Sequence, residues 1–260
     1  MLIVISPAKT LDYVTQATTS DYTQPDLLDE SAELIAILQR YQPDDLAALM
    51  TISHALAELN VARYASWSRP FTLQNAKQAL FAFKGDVYEG LAATTLAQGE
   101  LTWLQQHLRI LSGLYGILRP LDLMQPYRLE MGTRLITPRG KTLYSFWGDR
   151  ITEQINTLLE RTAQPVLVNL SSEEYFKVIR PQQLKGRLIT PVFQDKKGHG
   201  YKVISFYAKH ARGMMTRWAA KHQIAHPDTL KEFNDEGYRF NESLSNDTIW
   251  VFQREHASSN

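Results

Sequence analysis

Apolar residues recur along this chain in two patterns, as short uninterrupted runs and as stripes at helical spacing. The runs predict strands at Leu2–Ile5, Pro165–Leu170, Leu188–Phe193, Tyr201–Tyr207 and Thr248–Phe252. The stripes predict helices over residues 26–40, 44–59, 73–80, 101–111 and 149–162, a helix of about 15 residues from Ala208, and a short helix and turn over 230–240.

Helices and strands interleave, but the turn-like segment Asp195–Gly200 lies between two of the strands and predicts a hairpin. We therefore expect an α+β fold with a mixed sheet and surrounding helices, rather than a doubly wound fold. The chain has 260 residues and no linker-like tract, which predicts a single domain over residues 1–260, with a frayed tail at 257–260.

Composition narrows the classes of protein to consider. Hydrophobic residues make up 44% and charged residues 21%, which excludes wholesale disorder. The absence of cysteine excludes disulfides, Cys-ligated zinc, iron–sulfur clusters and a thiol nucleophile. No apolar run reaches the roughly 18 residues of a membrane span. The start lacks the basic residues that precede the apolar core of a signal peptide, so we expect a cytoplasmic protein.

The net charge of +1 hides two opposite blocks. Residues 21–60 hold eight acids and one base, whereas residues 196–227 hold seven Lys or Arg, four His and no acid. Such a distribution predicts either a positive face that attracts a polyanion, or two blocks that pair with each other in the fold.

The helix predicted from Ala208 has an apolar side and a basic side. The apolar side contains Ala211, Met215, Trp218 and Ala219. The opposite side contains Lys209, His210, Arg217 and Lys221, with Arg212 near the boundary. No acid interleaves to relieve the repulsion, and Lys202 adds to the same field. A bound phosphate backbone would offset that repulsion, whereas the alternative is a solvated helix face.

Residues 105–120 indicate a helix that runs into a tight turn from Gly113 to Gly116, with Arg109 and Arg119 on its two sides. A helix–hairpin–helix module binds DNA in this way, because the hairpin glycines let backbone N–H groups approach phosphate. One extra residue separates the glycines relative to the usual Leu-x-Gly-Ile-Gly, and Pro120 shortens any second helix. The alternative is a helix C-cap at Gly113 followed by a turn.

Other residues bear on catalysis. Lys9 follows the first strand, where ligand sites form in α/β sheets. Glu174 belongs either to a carboxylate pair with Glu173 or to a capping box with Ser171, and we favour the capping box. His222 and His226 have helical metal-ligand spacing without an evident third ligand, and no nucleotide-binding glycine motif is present. We expect no metal and no cofactor.

Several segments resemble the YaaA family, whose members are linked to peroxide-stress resistance in bacteria. These are Ile5–Asp12, Ala82–Tyr88, Leu111–Gly132, Phe206–Met215 and Phe233–Tyr238. The resemblance implies a single-domain α/β fold with a positively charged cleft, a helix–hairpin–helix-like element and binding of double-stranded DNA. It also implies protection against hydrogen peroxide through less free intracellular iron.

The resemblance assigns the hairpin to Gly113, Leu114, Tyr115 and Gly116. It assigns the cleft bases to Lys9, Lys84, Arg119, Arg128, Lys209 and Arg212. Charge alone adds Arg109, Lys202 and Arg217 to the DNA-binding set. Two alternatives stay open. One is an enzyme acting on a nucleotide or another anionic small molecule, with Lys9 holding phosphate and Glu174 supplying acid–base chemistry. The other is a regulatory protein that binds a partner through the acidic helices of 21–60.

Overall fold

The computed structural model describes residues 1–255, so the expected frayed tail at 257–260 lies outside the described residues. The strands are β1 (Leu2–Ile5), β2 (Thr10–Leu11), β3 (Lys77–Gln78), β4 (Phe83–Lys84), β5 (Leu108–Ser112), β6 (Gly116–Leu118), β7 (Leu123–Met124), β8 (Val166–Leu170), β9 (Arg187–Lys197), β10 (Gly200–Lys202), β11 (Arg239–Asn241) and β12 (Ile249–Arg254).

The main sheet has eight strands, seven of them in the order β11-β12-β9-β8-β1-β5-β6, and β10 pairs with β9. Its central strands β5, β1, β8, β9 and β12 run parallel to one another. The strands β6, β10 and β11 pair antiparallel. Two small antiparallel pairs, β2 with β4 and β3 with β7, lie outside it. The predicted mixed sheet is therefore confirmed.

The burial pattern of each strand explains why β1, β8 and β9 could be predicted from the sequence. All residues of β1 and β8 are buried, as a strand covered on both faces requires. Strand β9 alternates buried and part-exposed residues over most of its length, the pattern of a strand with one covered face.

The α-helices are α1 (Leu28–Leu38), α2 (Pro43–Met50), α3 (His54–Ser66), α4 (Ala79–Ala82), α5 (Asp86–Leu91), α6 (Gln98–His107), α7 (Leu143–Trp147), α8 (Arg150–Leu159), α9 (Glu173–Phe176) and α10 (Ser205–Lys221). Short 3-10 turns lie at Ala93–Thr95, Pro181–Gln183, Pro227–Glu232, Asp235–Gly237 and Glu242–Leu244. Within residues 1–255, no helix combines the length and the apolar composition that crossing a bilayer requires.

Besides the helix expected over 101–111, three predicted elements were wrong in extent. The helix over 44–59 is two helices, because Thr51 adopts a left-handed conformation and Ser53 caps α3. The segment 73–80 forms β3 and the start of α4 rather than one helix. The segment Tyr201–Tyr207 is divided between β10 and α10, since α10 begins at Ser205.

The predicted helix–hairpin–helix element is a β-hairpin. The helix expected over 101–111 ends at His107, and Leu108–Ser112 continues as the fully buried strand β5 between β1 and β6. Gly113 to Gly116 joins β5 to β6, so strands rather than helices flank the turn. Leu108, Ile110 and Leu111 are each 0% exposed, and burial in the sheet outweighs the helical pattern of the preceding residues.

The helices α5 and α10 cross with their backbones in close contact. A Cβ at Gly213 would lie 1.8 Å from the carbonyl oxygen of Val87, and a Cβ at Gly90 would lie 2.2 Å from that of His210. Only glycine permits this approach. The apolar side predicted for α10 is confirmed, because Ala211, Met215, Trp218 and Ala219 are buried. The crossing therefore fixes which way the basic side of α10 faces.

The two charge blocks do not pair with each other. Acids of the block 21–60 pair with Arg69, Arg119, Arg139 and Arg150, all in the middle of the chain. No ion pair within residues 1–255 joins that block to residues 196–227. The cations of the basic block are thus left to other partners.

The α5–α10 crossing makes a stability prediction. Gly213→Ala should lower the free energy of unfolding by about 2–3 kcal/mol, since the added methyl group meets a backbone carbonyl that has no room to move. The measurement is urea denaturation followed by circular dichroism. Gly200→Ala is the matched control, because a Cβ there meets nothing within 4 Å, and it should change stability by less than about 0.5 kcal/mol. Equal effects at the two positions would contradict the account.

Candidate functional site

A cavity of about 410 Å³ lies at the carboxyl ends of β1 and β8, and we call it the β1–β8 cavity. These two strands are parallel neighbours, but the chain continues from β1 towards β5 on one side and from β8 towards β9 on the other. The sheet therefore has a topological switch point between them. Open α/β sheets bind ligands at such a point.

Four predicted bases line this cavity. Lys9 comes from the loop after β1 and Lys84 from β4, while Lys209 lies on the basic side of α10 and Arg212 at the boundary of that side. The lining carboxylates are Asp86 and Glu174, so the bases leave a net charge of +2. The structure thus brings together bases from three separate parts of the sequence.

Two serine hydroxyls join the strand ends beneath these charges. The Ser6 Oγ accepts a hydrogen bond from the backbone N–H of Ser172 at 2.8 Å and donates one to the Ser172 Oγ at 3.2 Å. The Tyr88 hydroxyl donates to the carbonyl oxygen of Ser6 at 3.0 Å. These bonds fix the loop after β1 against the loop after β8 and against α5.

A glycine turn positions Lys84 and Asp86 on the cavity wall. Gly85 has φ of 153°, a conformation that residues with a Cβ rarely adopt, and it connects β4 directly to α5. Asp86 lies 3.8 Å from the Lys209 ammonium, which links this turn to α10. Within residues 1–255, Lys84 and Arg212 form no ion pair.

The environment of the lining groups favours a bound anion. Burial lowers the pKa of the Arg212 guanidinium, because no solvent shell fully stabilises its charge. Burial also raises the pKa of the Tyr88 and Tyr175 phenols well above their usual value, so both stay neutral and add no negative charge to the cavity. A phosphate oxygen would stabilise the partly desolvated guanidinium.

Arg128 lies beside the cavity rather than in it. It pairs with Glu130 at 2.9 Å, and Glu130 also contacts the Lys9 ammonium at 3.5 Å. Arg128 is mostly buried, and its Nε has no hydrogen-bond partner within the described residues. Glu130 therefore compensates Arg128 and reduces the positive charge next to Lys9.

The capping box predicted for Ser171 and Glu174 was wrong. The N-cap of α9 is Ser172, without a side-chain capping bond, and the Ser171 hydroxyl donates to the Asn169 side chain at 2.7 Å. The Glu174 carboxylate instead accepts from the backbone N–H of Gly132 at 2.9 Å. Glu174 thus faces the β1–β8 cavity and ties it to the loop after β7.

The remaining predicted residues lie elsewhere. The turn Gly113, Leu114, Tyr115 and Gly116 is buried, and a Cβ at Gly113 would lie 2.1 Å from the Leu129 carbonyl oxygen. Its backbone packs against protein and leaves no room for a phosphate. Arg109 and Arg119 line a different cavity. Lys202 is exposed on β10 and Arg217 is half-buried on α10, and neither lines the β1–β8 cavity.

Reasoning from the sequence missed Ser6 and Ser172 as site residues. Ser6 directly follows the first predicted strand, and Ser172 lies two residues after the predicted strand that ends at Leu170, which was a usable signal. Only the parallel pairing of β1 with β8 shows that these two strand ends meet. Residues 1–255 contain no group of three or more His, Asp or Glu side chains placed to hold a metal ion.

Comparison with known proteins gives one family. A family model described as peroxide stress protein YaaA matches residues 1–244. The UPF0246 protein azo1887 of Azoarcus sp. (strain BH72) is 62% identical over 258 residues, covering 98% of this chain and 99% of the relative. A UPF0246 protein of Chromobacterium violaceum is 60% identical over 255 residues, covering 98% and 99%. The UPF0246 protein RSc2009 of Ralstonia nicotianae is 58% identical over 257 residues, covering 99% and 100%.

The serine pair makes a prediction about the cavity floor. Ser6→Ala should lower the free energy of unfolding by about 1–2 kcal/mol, because the Ser172 N–H loses its acceptor. Ser172→Ala keeps that backbone bond and should cost about 0.5 kcal/mol. Urea denaturation of both variants makes the comparison. A Ser172→Ala cost equal to or larger than that of Ser6→Ala would show that the backbone bond does not hold the two loops together.

Proposed function

The chain belongs to the family described as peroxide stress protein YaaA, and from that premise we propose that it acts in the peroxide-stress response by binding the phosphate backbone of double-stranded DNA. The β1–β8 cavity serves as its basic cleft. The observation that carries the proposal is the convergence of Lys9, Lys84, Lys209 and Arg212 on this one cavity.

Charge supports a phosphate ligand over a neutral one. Four of the eight acids in the block 21–60 pair with arginines in the middle of the chain, and within the described residues none pairs with a base of α10. The Asp86 carboxylate lies 3.8 Å from the Lys209 ammonium, and the Lys209 side chain is half-exposed, so this ion pair contributes little. Phosphate contacts would therefore replace water and weak pairs rather than strong internal bridges.

Binding of this kind does not depend on the base sequence of the DNA. Lysine ammonium groups contact phosphates as point charges, and Arg212 offers a planar fork that matches two phosphate oxygens. Affinity should fall steeply with salt, because each neutralised phosphate releases counterions. Specificity for particular bases would need contacts in a groove, and the proposal includes none.

The proposed DNA-binding surface includes fewer residues than the sequence predicted. It leaves out the buried turn from Gly113 to Gly116, together with Arg109 and Arg119. Contributions from Arg128, Lys202 and Arg217 stay predictions, and so do the cytoplasmic location and the lowering of free iron.

A second candidate is an enzyme acting on a nucleotide in the same cavity. Its volume of about 410 Å³ suits a mononucleotide, since ligand pockets span about 300–1,000 Å³. In this case Lys9 holds the phosphate and Glu174 supplies a carboxylate at the cavity wall. The switch-point location favours this candidate, because such crevices bind small ligands in many α/β enzymes.

The DNA proposal predicts the effect of charge reversal on α10. Lys209→Glu with Arg212→Glu should weaken binding to all duplexes at least about tenfold and lower the log–log salt slope by about 2, because two phosphate contacts are lost. Gel-shift titrations at several salt concentrations measure both quantities. Lys221→Glu with Arg239→Glu changes the net charge equally outside the cavity and is the matched control. Equal weakening by both pairs would contradict binding in the cavity.

The enzyme candidate makes a separate prediction. If it holds, nucleotide turnover by the wild-type chain should fall about 100-fold or more in Glu174→Gln, since removal of a general acid or base costs that much. Product formation in a screen of nucleoside mono-, di- and triphosphates is the measurement. No turnover, or turnover unchanged in Glu174→Gln, would overturn this candidate and leave DNA binding unaffected.

A further inference from the structure

The arginines Arg109 and Arg119 lie in a second cavity of about 340 Å³ on another part of the molecule. It shares no lining residue with the β1–β8 cavity. Arg109 comes from β5, and Arg119 follows β6. The rest of the lining is Asp26, Ile117, Asp122 and, from α8 and the turn after it, Gln154, Thr157, Leu158 and Arg161.

Arg119 is fully compensated by the two carboxylates of this cavity. Its Nε donates to Asp122 Oδ1 at 3.0 Å and its Nη2 donates to Asp26 Oδ1 at 3.1 Å. Asp122 also accepts from the backbone N–H of Arg119 at 2.7 Å and from the Thr23 hydroxyl at 2.6 Å. Neither carboxylate forms an ion pair with Arg109.

Arg109 is a buried cation that forms no ion pair within residues 1–255. It is only 7% exposed, and its Nη1 donates to the carbonyl oxygens of Leu108 at 2.6 Å and Gln105 at 3.0 Å. Within residues 1–255 its Nε and Nη2 donate to no acceptor. Burying a charged group is costly unless hydrogen bonds or an opposite charge compensate it, and two carbonyls satisfy only part of a guanidinium with five N–H donors.

The charge state of Arg109 is set by its surroundings. Burial lowers the pKa of its guanidinium to about 10, and nearby Arg119 acts in the same direction while Asp122 and Asp26 oppose it. The group therefore stays protonated at neutral pH. Arg161 is exposed at the mouth and has no ion pair within the described residues. Three arginines against two aspartates leave one positive charge for a ligand to neutralise.

We propose that this second cavity binds the phosphate group of a small molecule, held by Nε and Nη2 of Arg109 and covered by Arg161. A guanidinium offers two parallel N–H donors to an oxyanion, and this pair on Arg109 has no acceptor in the part of the chain that the structure describes. Gln154 adds a neutral amide donor from α8, whereas the Thr157 hydroxyl already donates to the carbonyl oxygen of Glu153 at 3.0 Å. The proposal does not depend on DNA binding, since the two cavities share no residue.

Arg109 also has a structural role, which must be distinguished from ligand binding. Its Nη1 donates to carbonyl groups at and just beyond the end of α6, so Arg109 also acts as a helix C-cap. Changing Arg109 would therefore lower stability in either case. Within the described residues, the Arg161 side chain forms no hydrogen bond or ion pair. A change at Arg161 therefore tests ligand binding without removing a structural contact.

The test is isothermal titration calorimetry with inorganic phosphate, using the full chain carrying Lys209→Glu and Arg212→Glu so that the β1–β8 cavity does not contribute. Phosphate should bind saturably at one site. Arg161→Gln and Arg109→Lys should each weaken the affinity about tenfold or more, as expected for loss of charge-assisted hydrogen bonds. Arg239→Gln, on an exposed arginine outside both cavities, should leave it unchanged.

Three results would overturn the proposal. They are no saturable phosphate binding, unchanged affinity in Arg161→Gln, and acetate binding as tightly as phosphate at equal ionic strength. The last result would assign the cavity to a carboxylate. Failure here leaves the DNA proposal intact, because that proposal is tested through residues of the other cavity.

Discussion

The candidate site depends on one steric constraint, the backbone-to-backbone crossing of α5 and α10. Gly213 lies against the Val87 carbonyl and Gly90 against the His210 carbonyl, at distances that no side chain permits. Because the helices meet there, Lys209 and Arg212 face the loops that follow β1 and β8. The turn at Gly85 joins α5 to β4 and brings Lys84 to the same wall. A wider crossing would separate the bases from one another.

The distribution of ion pairs explains why this cavity is positive in a nearly neutral protein. Four of the eight acids of residues 21–60 pair with arginines in the middle of the chain, which ties the N-terminal helices to the rest of the fold. The bases of α10 keep only weak or distant partners. Surface ion pairs contribute little stability, so the arrangement costs the fold little while it leaves cations free for an anionic ligand.

Features that depend on the local pattern of apolar residues could be predicted from the sequence. Features that depend on which strands pair in the sheet could not. β1 and β8 were predicted well because both are uninterrupted buried runs. β5 was missed because it follows α6 without a break and contains Arg109, so its pattern continued that of the helix. The bases Lys9, Lys84, Lys209 and Arg212 were predicted individually, but Arg119 was expected with them and instead pairs with Asp26 and Asp122. The meeting of Ser6 with Ser172 follows only from the strand order.

The central claim is that four bases act as one phosphate-binding surface. The most direct measurement is an NMR titration of the chain with a short DNA duplex, following the side-chain signals of individual lysines and arginines. The account predicts that signals of Lys9, Lys84, Lys209 and Arg212 shift along a single binding isotherm, while those of Lys221 and Arg239 do not move. Shifts spread evenly over exposed bases, or confined to residues outside the β1–β8 cavity, would contradict it.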